Sequence, residues 1–383
     1  MGDLRELFLV DPAVHYFSHG SVGGCPRPVF ERYHAYQLEF ERQGEAFKRT
    51  IRARFRASRE KLARFVGAEA DDLVFFTNVT TALNTVFHSL PLQPGDEVVG
   101  TDHEYGAMVH AMTTICAARG ATYRKQPVPP SAFASPDRVV DALWEGVTPK
   151  TKAILVSHIA SPTACVFPVA RIAARARERG VLTIVDGAHA PGQIPLDIGS
   201  LGVEYYAGSC HKWMCGPKGT GFLHVGRDLQ ESLSPLVYSW GCIRNPLDDP
   251  HFISALEGQG VRDHSAFFAV GDAIDFLEEH DWRRAHERCH EVAGRIRARL
   301  LEIDGVEPLT PGHEGAFASM VAFHLPDCDA RALHDRLLDE YRVEIPLYTW
   351  NGRVTTRASV QMYNTYADVE RLTEAFGDLV GSM

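Results

Sequence analysis

Between residues 73 and 225, short apolar runs alternate with amphipathic stretches, and no other feature of this 383-residue chain restricts its fold as strongly. The runs fall at 73–77, 96–100, 153–156 and 181–185. They are too short for helices and read as buried strands. Helical periodicity fills the gaps, from Ala82 to about Ser89 and again through Met108, Met112, Ile115 and Cys116. Ser135-Pro136-Asp137 supplies a cap residue followed by proline at the first helical position. Pro168 opens a helix over 169–179, and Gly180 is a normal stop. A βαβα order of this kind predicts the α/β class, with an open, mainly parallel sheet covered on both faces.

Ligands of such sheets bind outside the carboxyl ends of the strands. Polar residues follow each expected strand end, at 78–81, 103–105, 157–158 and 186–189, and a later apolar run breaks into 209–212, so they should converge on one crevice. Two of them suggest a chemistry. Lys212 offers an amine for a Schiff base, and Asp186 offers an acid that would keep a pyridine nitrogen protonated. A pyridoxal phosphate (PLP) site needs both. Thr80, with the amides that open its helix, would form an anion site, and Tyr105 could lie against a ring face. A lone lysine after a strand is usually a surface charge, and a strand-terminal aspartate is often a cap. The pair is far more specific than either residue.

The remaining sequence divides into an N-terminal arm (1–20) expected to pack with the C-terminal domain, a large domain (21–255) and a smaller α+β domain (256–383). The smaller domain is read from helical stretches at 265–280, 282–303 and 330–341, strands at 319–325 and 355–361, and a last helix from Ala367. Residues 18–24, SHGSVGG, read as a glycine-rich turn. Residues 29–66 read as one helix whose arginines (49, 52, 56, 59) are interleaved with Glu41, Glu45 and Glu60, as on a solvated face. A net charge of −10 argues against a general nucleic-acid binder, whose affinity comes from neutralising phosphates. With no basic-then-apolar leader and no apolar run near 18 residues, a cytoplasmic protein off the membrane is expected. Eight cysteines without a CxxC pair suggest neither a zinc site nor a disulfide framework, and no metal is expected.

The chain resembles the class V aminotransferases of PLP fold type I, especially the isopenicillin N epimerase-like branch beside the cysteine desulfurases. The strings that carry the resemblance are SHGSVG (18–23), FTNVTTALN (76–84), HEYGA (103–107), VSHIASPTACVFPV (156–169), VDGAHAPGQIPLDI (185–198), GSCHKWMCGPKGTGFL (208–223) and RASVQMYNTYADVERL (357–372). The resemblance implies that Lys212 is the Schiff-base lysine, Asp186 the pyridinium partner and His189 a contact of the ring hydroxyl. It also implies that Tyr105 stacks on the ring and that Val79, Thr80, Ser209 and His211 hold the phosphate. Arg357 matches the arginine that clamps a substrate α-carboxylate, a bidentate task suited to guanidinium. His19, Tyr348 and Trp350 are the further substrate-binding candidates, and Trp240 is a third aromatic considered for the pocket. A homodimer with its site near the subunit interface is implied.

Two departures matter. Relatives often carry Gly-Thr near 260 for the neighbouring subunit's phosphate, whereas here Gly260 precedes Val261 and Arg262. The nucleophilic cysteine of a desulfurase should lie shortly before the carboxylate arginine, yet 345–357 contains none. Cys210, Cys215 and Cys242 are expected to be buried rather than catalytic, so persulfide chemistry is disfavoured. The expected activity is epimerase-like chemistry at Cα of an amino acid or small peptide-like amine. A β-eliminating lyase, an aminotransferase and an inactive PLP-binding regulator remain as alternatives, because the named residues serve each of them.

Overall fold

The computed structural model describes residues 4–243 and 250–381. Its centre is a seven-stranded sheet in the spatial order Leu73–Phe76, Gly221–Val225, Tyr205–Ser209, Leu182–Gly187, Thr151–Ser157, Glu97–Thr101, Thr122–Gln126. Gly221–Val225 runs antiparallel to both neighbours, and every other pairing is parallel. Except in the edge strand Thr122–Gln126, which is largely exposed, alternate residues of each strand enter opposite cores. Phe75, Val99, Ile154, Val156, Val185 and Phe222 join one cluster. Val74, Val98, Leu155, Ile184, Ala207 and Leu223 join the other. Both faces are therefore dry, which explains why these strands read as continuous apolar runs.

Local sequence sets the helix starts. Asn78 caps Val79–Ser89 by accepting the Thr81 amide at 2.8 Å. The helix thus begins three residues before the expected Ala82, because the cap rather than the first alanine fixes its start. The Ser135 hydroxyl accepts the Arg138 amide as the proline-led start predicts. Residues 29–66 are two helices, Arg27–Arg42 and Gly44–Val66, broken at Gln43. Ser265–Glu279 packs on both of them, and its Phe267, Phe268 and Ile274 share their core.

A second sheet has four antiparallel strands in the order Leu347–Trp350, Arg353–Ser359, Met320–His324, Glu307–Pro308. Asn351 and Gly352 join the first pair, both at positive φ (47° and 79°), as a two-residue hairpin requires. Val321, Phe323 and Ala358 of this sheet pack with residues of Trp282–Leu300, Ala330–Tyr341 and Tyr366–Leu379. The N-terminal segment reaches the same region: His15–Tyr16 pairs in parallel with Val343–Glu344, and Phe17 is buried in that core. Among the described residues no helix is long and apolar enough to cross a membrane.

Leu155 is fully buried at the middle of the large sheet. Leu155→Ala should lower unfolding stability by about 2–5 kcal/mol, read as a lower denaturant midpoint.

Candidate active site

The carboxyl ends of the parallel strands open onto two adjoining cavities. The first, of about 170 Å³, is lined by Val79, Thr80, Tyr105, Asp186, His189, Ser209, His211 and Lys212, together with Ser21, Ser157 and Ser161. The second, of about 480 Å³, is lined by Tyr105, Tyr348, Trp350 and Arg357, with Glu104, Lys125 and Asn351. Ser21, Tyr105 and Ser161 line both. The β-strand geometry explains this meeting: the sheet ladder pairs Ser157 with Asp186, and Gly187 with Gly208, so successive strand ends bring their side chains to one edge.

Lys212 lies just beyond the strand Tyr205–Ser209, and its Nζ is 3.2 Å from His189 Nε2. Trp213 donates its indole N–H to His189 Nδ1 at 3.3 Å, so a neutral His189 carries its proton on Nε2, facing the amine. That arrangement suits an uncharged amine, since an ammonium could not accept the proton. Burial, helped by Arg357 and opposed by Asp186, brings Lys212 down to about 8. Burial also holds His189 well below the usual histidine range. Asp186 is 5% exposed and accepts the Ala188 amide at 3.0 Å; burial raises its carboxyl, and this hydrogen bond and Lys212 pull the other way.

The anion-binding end is built from backbone. Asn78 takes the Thr81 amide, while the first amides of that helix have no partner within the helix. The His211 Nδ1–H donates to Thr220 O at 2.8 Å, so Nε2 is bare in the neutral ring and can donate to an anion only once the ring is protonated. The unpartnered helix amides and the hydroxyls of Thr80 and Ser209 form a donor set that fits a phosphate. Asp186 fits a protonated ring nitrogen, and Lys212 fits an aldehyde carbon. The residues present therefore suit PLP.

Arg357 is 4% exposed, yet its partners are neutral. Nη1 donates to Ser161 O and to Ser161 Oγ (3.0 Å), and Nη2 donates to Ser21 Oγ at 3.3 Å. Nε has no partner, and among the described residues no carboxylate lies within salt-bridge distance of this guanidinium. A buried cation without an anion is costly unless a ligand supplies one. Tyr348 and Trp350 are anchored at the cavity wall by donating to Pro162 O (2.6 Å) and Asp102 O (3.2 Å).

Several expectations need correction. His19 lines neither cavity. It is fully buried, with Nε2 at 3.1 Å from Lys212 O and Nδ1 at 2.9 Å from the Tyr363 hydroxyl, so both ring nitrogens are occupied away from any substrate. Trp240 is 84% exposed on the surface turn Trp240–Cys242 and lines neither cavity in this chain. His103 and His158, grouped with the crevice residues, are core histidines bonded to Thr163 Oγ1 (2.7 Å) and Tyr206 Oη (2.9 Å). Cys210 and Cys215 are buried with thiols pushed up by burial, whereas Cys242 is only half-buried.

Sequence reasoning missed Glu104 as an individual residue. Its carboxyl is buried between the hydroxyls of Thr101 and Ser157, both at 2.6 Å, and burial raises it to about 8. Ser21 and Ser161 were also missed, since a serine in a loop carries no pattern until the fold brings it to an arginine.

The Lys212 amine gives a direct check. In cofactor-free protein, its modification by an amine-directed reagent should have a midpoint near pH 8 rather than the ordinary 10.5. Asp186→Asn should move the midpoint lower, because the carboxylate stabilises the ammonium.

Comparison with known proteins agrees with this geometry. Residues 25–372 match the family model described as Aminotransferase class-V. The chain is 38% identical over 387 residues to an isopenicillin N epimerase of Amycolatopsis lactamdurans, covering 98% of this chain and 97% of the relative. It is 32% identical to the isopenicillin N epimerase of Streptomyces clavuligerus, covering 99% and 98%. Its fold matches that of C-DES, solved as a variant with glycine covalently linked to its PLP cofactor. That match has a TM-score of 0.85 and 24% identity, and covers 98% of this chain and 99% of that one. A full-length sequence match to one family and a lysine-bearing crevice at the strand ends have the same explanation: this chain belongs to the class V aminotransferase family.

Proposed function

We propose that this chain is a PLP-dependent epimerase acting at Cα of an amino acid or small peptide-like amine, of the isopenicillin N epimerase kind. The observation that carries the proposal is the pairing of a buried, low-pKa Lys212 with a buried, anion-free Arg357 across adjoining cavities. Full-length similarity to two isopenicillin N epimerases supports this outcome over its alternatives.

When bound, PLP supplies an electron sink for the charge that develops at Cα. In this reading the chain supplies the rest. Asp186 would keep the ring nitrogen protonated, while Val79, Thr80, Ser209 and His211 would hold the phosphate. His189 would meet the ring hydroxyl, and Tyr105 would cover the ring. Arg357 orients the substrate carboxylate, while Tyr348 and Trp350 form the outer wall and exclude water. Lys212 Nζ, about half neutral near pH 8, takes the Cα proton, as a base matched to working pH should. Return of a proton from the opposite side inverts the centre, and the Tyr105 hydroxyl is the candidate donor there. Residues 345–357 hold no cysteine, which speaks against persulfide transfer.

The same reading includes a cytoplasmic homodimer. Gly260, Val261 and Arg262 lie away from this chain's own site, and Val261 is 84% exposed, which supports a role at the partner subunit. The division into an arm (1–20), a large domain (21–255) and a small domain (256–383) is also proposed. Ser265–Glu279 would bridge the two larger units, since it packs on the helices of the first.

Cofactor-loaded protein should absorb in the visible, and Lys212→Ala should abolish that covalent absorbance. Incubation with L-amino acids or small peptides bearing a free α-amine, in deuterated buffer, should exchange Cα hydrogen with loss of chirality. Release of pyruvate and ammonia instead would replace the epimerase with a β-eliminating lyase. Arg357→Lys should raise KM about tenfold or more, through loss of the bidentate contact.

A further inference from the structure

The glycine-rich string at 18–23 is the one singled-out motif that the proposed chemistry leaves unused, and it lies between the two groups that the chemistry needs. On one side it meets the Lys212 backbone. His19 Nε2 is 3.1 Å from Lys212 O, which also accepts the Cys215 amide at 2.9 Å. Gly23, at φ +70°, packs so closely that a Cβ there would stand 1.9 Å from His211 O and 3.2 Å from Lys212 Cα. On the other side it meets the strand that carries Arg357. Ser21 Oγ accepts from Arg357 Nη2 at 3.3 Å, and a Cβ on Gly20 would stand 2.7 Å from Ser359 Oγ. The Ser359 amide donates to Phe17 O at 2.9 Å, which ties the string's entry to the same strand.

The proton on His19 can be assigned. The Gly24 amide donates to Nδ1 at 3.1 Å, so Nδ1 is bare and Nε2 carries the hydrogen that Lys212 O accepts. The Tyr363 hydroxyl, 2.9 Å away, is then a second donor to Nδ1. The Gln361 amide nitrogen, 3.1 Å from Nε2, has no lone pair to receive that hydrogen and contributes packing. Burial depresses His19 to about 3, which keeps the ring neutral and this pattern fixed.

We propose that residues 19–21 are a spacer that sets the separation between the Lys212 amine and the Arg357 guanidinium, with His19 a positioning residue acting through the Lys212 carbonyl. The proposal rests on the reading of Lys212 as the cofactor lysine. A substrate held by its carboxylate presents Cα at a fixed reach from Arg357, so the base must arrive at that reach from the other side. Lys212 follows its strand in a turn without ladder hydrogen bonds, and its side chain reaches His189 through four rotatable torsions. Its main chain therefore needs an external brace. A misplacement of about 1 Å between base and substrate can cost about 100-fold in rate.

Two substitutions separate bracing from bulk. The amide nitrogen of His19→Gln reaches the position of Nε2 and can still donate to Lys212 O. That of His19→Asn reaches only the position of Nδ1 and cannot. In cofactor-free protein, the Lys212 labelling midpoint should stay near 8 in His19→Gln and rise by about one unit in His19→Asn, as the loosened amine regains water. In loaded protein, His19→Asn should lower kcat for Cα exchange about tenfold with KM little changed, and His19→Gln should recover most of it. Ser21→Ala, a small change outside the lysine contact, should raise KM and leave the labelling midpoint alone. Equal behaviour of His19→Asn and His19→Gln, or a midpoint that moves in Ser21→Ala, overturns the spacer. The two readings fail separately: if Lys212→Ala keeps the covalent absorbance, the cofactor assignment itself falls.

Discussion

A sheet buried on both faces imposes the constraint on which the rest of this structure depends. Because Phe75, Val99, Ile154 and Val185 pack on one side while Val74, Val98, Leu155 and Ile184 pack on the other, polar groups are expelled to the strand ends. Six of the seven strands point the same way, so those ends share one edge. The site is a consequence of that dry sheet.

Desolvation then gives the collected groups their properties. The same burial that lowers Lys212 raises Asp186 and Glu104, so a cation and two acids sit close together with their charges partly suppressed. Arg357 cannot lose its proton in this way and stays charged among hydroxyls and a carbonyl. A cavity with one persistent cation and one adjustable amine is suited to hold a carboxylate while leaving a base free. These are the two demands of chemistry at the carbon between them.

Much of this was legible beforehand. The apolar runs announced the sheet, and the polar residues behind them announced the crevice; Asp186, Thr80, Ser209 and Lys212 line one cavity as their positions implied. Histidines misled. His19, His103 and His158 carry the same side chain as His189 and His211, and only packing distinguishes a satisfied core ring from one that lines a cavity. The hairpin that carries Tyr348 and Trp350 was missed although Asn351-Gly352 is a strong two-residue turn signal, because the strand before it, Leu347–Trp350, is short and lacks a clear apolar pattern.

By itself the sequence determined the alternation of strands and helices through most of the large sheet, the family, and which lysine and aspartate line one cavity, because those follow from periodicity and from motifs read locally along the chain. Only the tertiary structure decided what lies between distant segments. Residues 18–23 touch His211–Lys212 on one side and Arg357–Ser359 on the other, across more than 180 positions of chain in each case. Contacts of that kind arise where one loop meets segments distant in sequence, so no local pattern records them.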